Sequence, residues 1–234
     1  MKRSLIARAA LIAGIVLIAA ALALTGYNII TEELAGRERD VILSELDVLI
    51  PSAANTASPE GGTESAAEAP TFQEIKERHI EHPDNSMGVY VPKMPTVTVD
   101  GKDYIGKLSM PSIKLEVPVL SDWSYDDLKI APCLYYGSVY TNDMVLCAHN
   151  YRTHFGQIGR LARGSKLTFT DAEGNEYFYK VVNVEIVKPD DTRKLVNGKY
   201  DLTLFTCTLS GGKRTVIRCE LLSVNGTPVS EIDP

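Results

Sequence analysis

The chain predicts a β-barrel of about eight strands, carried behind an N-terminal membrane anchor and a flexible stalk. Three observations lead there. From about Thr96 onward, short β-like runs alternate with turn residues, about eight runs within about 130 residues, which is the texture of an all-β domain closed or nearly closed on itself. Ahead of them, Lys2, Arg3 and Arg8 precede an apolar run from Ala9 to Leu24. Between the two, Pro51 to Thr71 contain no large apolar residue, so that stretch cannot bury enough surface to offset chain entropy.

Taken in order, residues 1–30 read as a signal anchor with its positive charges kept in the cytoplasm. The apolar run is a little short of the roughly 20 residues a bilayer needs, and Thr25 to Ile30 supply the difference. Ala21-Leu22-Ala23 also has the form of a signal-peptidase site, so removal stays open; an uncleaved anchor is the preferred reading. Residues 31–50 place apolar side chains at helical spacing and extend as a helix from the membrane. Residues 51–71 are the disordered stalk, and a domain of residues 72–234 follows, expected to keep full activity when cut free at residue 72. It opens with a short helix, "FQEIKERHIEH", ended by Pro83.

The strands come next. "TVTVDGKDYIGKLSM" holds two strands around an Asp-Gly turn, and "IKLEVPVL" is an edge or bent strand because of its proline. "MVLCAH" is an apolar run, and "KLTFTDAEGNEYFYKVVNVEIV" is a hairpin with an Ala-Glu-Gly-Asn turn. "DLTLFTC" and "RTVIRCELL" complete the set, with weak helical signals only in "SYDDLKIAP" and "FGQIGRLA".

Composition narrows the function. A net charge of −6 argues against nucleic acid as a partner, since phosphate binding needs a basic surface. Four cysteines are too few for a disulfide scaffold in 234 residues. No C-x-x-C or H-x-x-x-H pair exists, so no metal site and no cofactor is expected. Cys133, Cys147 and Cys219 read as small buried hydrophobes, with a disulfide among them left open by spacing. His79 and His82 fall on the short helix and read as solvated.

Cys207 differs in its setting. It ends an apolar strand and opens into the turn-rich "TLSGG". A thiol there needs an imidazole to exchange protons or a cation to favour thiolate. His149 likewise ends an apolar run, and Arg214 starts the strand across the loop from Cys207. Arginine does not deprotonate, so it suits a developing oxyanion rather than base catalysis.

At these residues the chain resembles the sortases, membrane-anchored cysteine transpeptidases of mainly Gram-positive bacteria. "LTLFTC" resembles their T-L-x-T-C strand, "VLCAHNYRTHFGQIGRLARGSKLTF" their histidine region, "RTVIRCEL" the strand that begins with their arginine, and "YIGKLSMPSIKLEVPVL" their opening strands. The similarity runs from about Tyr104 to Leu222 in the order His, Cys, Arg. The resemblance implies a mostly β fold, an eight-stranded sortase β-barrel with short helices. It makes Cys207 the nucleophile, His149 the acid and base, Arg214 the oxyanion cation with Arg218 its competitor, and Thr206 a substrate-binding residue. One departure is visible: Ala148 stands where the family has glycine.

The implied reaction cleaves an LPxTG-like sorting signal of an exported protein and passes the thioacyl group to an amine of a peptidoglycan precursor or a pilin lysine. The catalytic domain is expected outside a single-pass membrane helix. The short stretch "KPDDTRKLVNGKY" leans away from class B, toward a housekeeping or class D-like type. Two other readings use the same residues: a thiol hydrolase that transfers to water only, and an anchored, non-enzymatic β-domain.

Overall fold

The computed structural model describes residues 2–51, 70–80, 93–191, 194–196 and 199–232. Most of the expected stalk lies outside them, as do His82 and the side chain of His79. The N-terminal run forms one unbroken helix, α1 (Lys2–Leu49), with no turn between its apolar and polar halves. From Ala10 onward it is long and apolar enough to cross a membrane. Leu11, Ile15, Leu17 and Leu22 point outward without a protein partner surface over them.

The second half of α1 does not project freely. Ile42, Leu46 and Ile50 are buried with Val99, Tyr104, Leu120 and Cys133 of the β-domain. This spacing of four puts one apolar stripe on one helix face. Asp47 pairs with Lys107 at the foot of the stripe. The helix and the barrel therefore share an apolar cluster, and a cut at residue 72 would remove Ile42, Leu46 and Ile50 from it. A second helix, α2 (Phe72–Ile80), starts with a reciprocal cap. The Thr71 N–H donates to the Glu74 carboxylate at 2.7 Å, and the Glu74 N–H donates to Thr71 Oγ1 at 3.3 Å. Its Phe72 and Ile75 enter the main core.

The strands are β1 (Val97–Val99), β2 (Lys102–Met110), β3 (Leu115–Leu120), β4 (Cys133–Tyr136), β5 (Met144–Ala148), β6 (Lys166–Asp171), β7 (Glu176–Val187), β8 (Leu202–Cys207), β9 (Arg214–Val224) and β10 (Thr227–Pro228). Pairing runs β2-β3-β4-β5-β8-β9-β7-β6 and closes through β6 on β2, an eight-stranded ring. The β3–β4 and β5–β8 pairs are parallel and the rest antiparallel. Inward side chains such as Leu108, Val117, Leu146, Phe169, Tyr179, Leu204 and Ile217 fill the barrel.

The ring differs from the sequence reading in one member. β1 pairs only with β2 and hangs outside the ring, while β4 takes a place in it. β4 is the four residues "CLYY" between a proline and a glycine, too short to show alternation. Pro118 sits inside β3 because β4 meets that strand only at Leu120 and Cys133, leaving most of one edge unpaired. A short helix α3 (Asp127–Ile130) and a 3-10 turn at Ile158–Arg160 lie in the connections, and a short helix α4 (Val229–Ile232) follows β10.

Candidate active site

Side chains alternate faces along a strand, so register decides which residues meet. In β5, β8 and β9 the inward set is Met144, Leu146 and Ala148; Leu202 and Leu204; Ile217 and Cys219. The outward set is then Val145 and Cys147; Thr203, Phe205 and Cys207; Arg214, Val216 and Arg218. Cys207 stands opposite Arg214, with Cα atoms about 4.5–5.5 Å apart as in any antiparallel pair. Ala148 is level with Thr206 across the parallel β5–β8 pair. His149, one residue on, therefore comes level with Cys207. Imidazole, thiol and guanidinium end three adjacent strands on one face, and all three line one groove.

That groove has a volume of about 280 Å³ and apolar walls, including Trp123, Tyr135, Leu195 and Phe205. Tyr135 packs edge-on against Phe205 at 5.2 Å and tilted against Trp123 at 5.6 Å. A second depression, of about 420 Å³, adjoins the thiol. Asn150, Gly159, Leu209 and Ser210 line it, and it shares Thr206 and Cys207 with the first.

The loop after His149 is held at both ends. The Phe155 N–H donates to the His149 carbonyl at 3.2 Å, and the His154 and Gly156 N–H groups both reach the Tyr151 carbonyl. Gly156 is required there, because a Cβ would stand 2.3 Å from the Asn150 carbonyl oxygen. From outside, α1 clamps the same loop. Glu32 accepts the Arg152 N–H at 2.7 Å, and Arg39 donates to the Thr153 carbonyl at 3.4 Å. Gly36 lets the helix approach, since a Cβ on it would lie 2.9 Å from Thr153 Cγ2. His149, Tyr151 and His154 stack in sequence, with centroids 5.1 and 5.4 Å apart.

Burial, with the nearby Lys129 charge second, pushes the His149 imidazole below its ordinary value. The neutral ring is thereby favoured, with a lone pair on one ring nitrogen. Arg214 is half-buried and anchored by its own hairpin, with Nη1 donating to the carbonyls of Gly211 and Lys213 at 3.2 and 3.1 Å. Arg218 shares its face but has a structural environment. It is 1% exposed and ion-paired to Glu185 at 2.9 Å. It donates to Thr203 Oγ1 and to the carbonyls of Lys194 and Leu195, and lies over the Tyr200 ring.

Thr206 faces inward and is buried, and its hydroxyl donates to the Ala148 carbonyl at 2.8 Å. It ties the thiol's strand to the imidazole's strand, a positioning contact rather than an open donor. Ala148 lies in the strand and is absent from the positive-φ residues, so its extra methyl costs nothing in backbone strain. Among the described residues, no three His, Cys, Asp or Glu side chains gather in a metal-binding group. The aromatic wall escaped the sequence reading, because Trp123, Tyr135 and Phe205 lie on separate elements with no spacing to link them.

A family model described as Sortase domain matches residues 108–222. The chain is similar to Sortase A of Bacillus anthracis, 32% identical over 155 residues that span 61% of this chain and 69% of that protein. Among solved structures it is similar to sortase C1 from Streptococcus agalactiae, at 28% identity and a TM-score of 0.46, over 53% of this chain and 70% of that one. It is also similar to a Sortase D5 transpeptidase of Clostridium perfringens, at 18% identity and a TM-score of 0.47, over 64% of this chain and 89% of that one.

Proposed function

Given that the chain belongs to the sortase family of cysteine transpeptidases, we propose that Cys207 is the nucleophile, His149 the acid and base, and Arg214 the cation that holds the oxyanion. The observation that carries this reading is the convergence of the three on one groove at the ends of β5, β8 and β9. Cys207 passes its thiol proton to His149 and its Sγ bonds to a peptide carbonyl carbon, while Arg214 donates to the oxygen as charge collects on it. The C–N bond then breaks, and His149 gives its proton to the departing amine. A second amine attacks the thioester, loses its proton to His149, and displaces the sulfur.

The substrate is an exported protein whose LPxTG-like sorting signal lies extended in the aromatic groove. Apolar walls suit the leucine and proline of such a segment, and β-strand floors suit its backbone. The acceptor, an amine of a peptidoglycan precursor or a pilin lysine, reaches the thioester through the second depression, which adjoins the same sulfur. Residues 1–30 anchor the enzyme with Lys2, Arg3 and Arg8 in the cytoplasm and the barrel outside.

Product analysis tests the reaction. The protein is incubated with an LPxTG-type peptide, with and without a primary amine such as triglycine. Transfer predicts that the amine appears covalently in the product and suppresses the hydrolysed peptide. A hydrolysed product that is unchanged by amine at any concentration would replace the transpeptidase reading with a hydrolase.

A further inference from the structure

Four thiols are free in the structure, and only Cys207 is partly exposed. Cys219 faces the barrel core opposite Leu202. Cys133 and Cys147 are different, because they are direct register partners across the antiparallel β4–β5 pair. Directly opposed residues point to the same face, with Cα atoms about 4.5–5.5 Å apart. That separation falls inside the roughly 4.4–6.8 Å range of disulfides. The pair lies on the outer face beneath α1, in one apolar cluster with Ile42, Leu46 and Ile50.

The cover matters for reactivity. Burial pushes the Cys147 thiol up to about 12 and raises the Cys133 thiol further. Cys133 Sγ–H donates to the Ala131 carbonyl at 3.3 Å, which also favours the thiol form. Thiolate is the species that attacks a disulfide. With α1 docked, the pair is therefore well placed but slow.

We propose that Cys133 and Cys147 form a dithiol that closes to a cross-strand disulfide when it meets an external disulfide before α1 docks, and that docked α1 protects the reduced pair. One thiolate attacks the external disulfide, forms a mixed disulfide and releases one small thiol. The second thiolate then attacks the protein sulfur and releases the other. Two protein thiols are oxidised and one external disulfide is reduced to two thiols. The new bond closes a loop that contains Tyr135 of the groove wall, and pins β5 two residues before His149. None of this depends on the catalytic reading.

The test uses the full chain in detergent micelles as the Cys207→Ser variant, which removes the exposed thiol. One sample is unfolded and refolded with oxidised and reduced glutathione; the other stays folded in the same mixture. Peptide mapping without reductant should find the Cys133 and Cys147 peptides joined, two hydrogens lighter than their sum, in the refolded sample. The folded sample should lag far behind. The loop of about 15 residues predicts a thermal midpoint roughly 6–12 °C higher for the oxidised form. A Cys133→Ser, Cys207→Ser control should show neither change. A bond to Cys219, glutathione retained on both cysteines, two free thiols, or a lowered midpoint would overturn the disulfide. Equally fast closure in the folded sample would overturn the shielding by α1.

Discussion

Replacing Arg214 with alanine removes a guanidinium whose two hydrogen bonds go to carbonyls of its own exposed hairpin. Stability should therefore move by no more than about 0.5 kcal/mol. Turnover should fall about a hundredfold or more, the usual effect of losing one oxyanion donor. Lysine should rescue little, since a point charge lacks the planar fork. Arg218→Ala should behave in the opposite way. Four residues along an extended strand put Arg218 about 13 Å from Arg214, out of reach of the reacting carbonyl. Its loss breaks a buried ion pair and leaves Thr203 and two carbonyls without their donor. Breaking such a pair costs about 3–5 kcal/mol. Glu185 is 34% exposed and can rehydrate, so the lower figure applies and the midpoint should drop by roughly 6–12 °C. Steady-state kinetics of the variants on one peptide, at a temperature where each is folded, separates the two effects. A folded Arg218→Ala that is dead, beside an active Arg214→Ala, would refute the register argument.

Other expectations follow from α1 and from the buried histidine. A chain that starts at residue 52 loses Ile42, Leu46 and Ile50, each contributing up to about 1.5–3 kcal/mol of burial; it should melt well below a chain that starts at residue 31, and equal melting would mean the docked stripe contributes nothing. Gly36→Leu should push the helix off Thr153 and shift the His149 loop, lowering kcat about tenfold or more with KM little changed; unchanged kcat would show that the clamp is idle. His154 is held down to about 4, first by burial and then by His149. A folded value below the unfolded 6.5 means stability is full above pH 6.5 and lost as pH falls toward 4. Urea midpoints should report a loss of about 2 kcal/mol at pH 5 relative to pH 7.5, and a flat profile would contradict the buried neutral ring.

The strands were legible where both faces or one face repeat without interruption. "KLTFT" and "EYFYKVV" announce a hairpin, and β6 and β7 form it. β4 was not legible, because four residues carry no period and its place in the ring depends on partners distant in sequence. The candidate site residues are visible as strand ends, Cys207 and His149 opening into polar loops. What brings them level is the parallel β5–β8 pairing, a non-local contact that no local pattern encodes. The docking of α1 was missed for a similar reason. Its stripe of Ile42, Leu46 and Ile50 is periodic, but the sequence does not say what covers it. Thr206 lines both depressions while its hydroxyl donates to the Ala148 carbonyl, a contact with a strand 58 residues away that no local pattern encodes.

The measurement that bears most directly on the central claim is the intact mass of the protein after brief exposure to an LPxTG-type peptide without amine, quenched in acid. Cys207 as the nucleophile requires a mass gain equal to the acyl half of the peptide, mapped to Cys207, removed by hydroxylamine and absent from Cys207→Ala. It also requires that the Cys207→Ala protein melt like the parent. An adduct on another residue, or peptide turnover by folded Cys207→Ala, would contradict it.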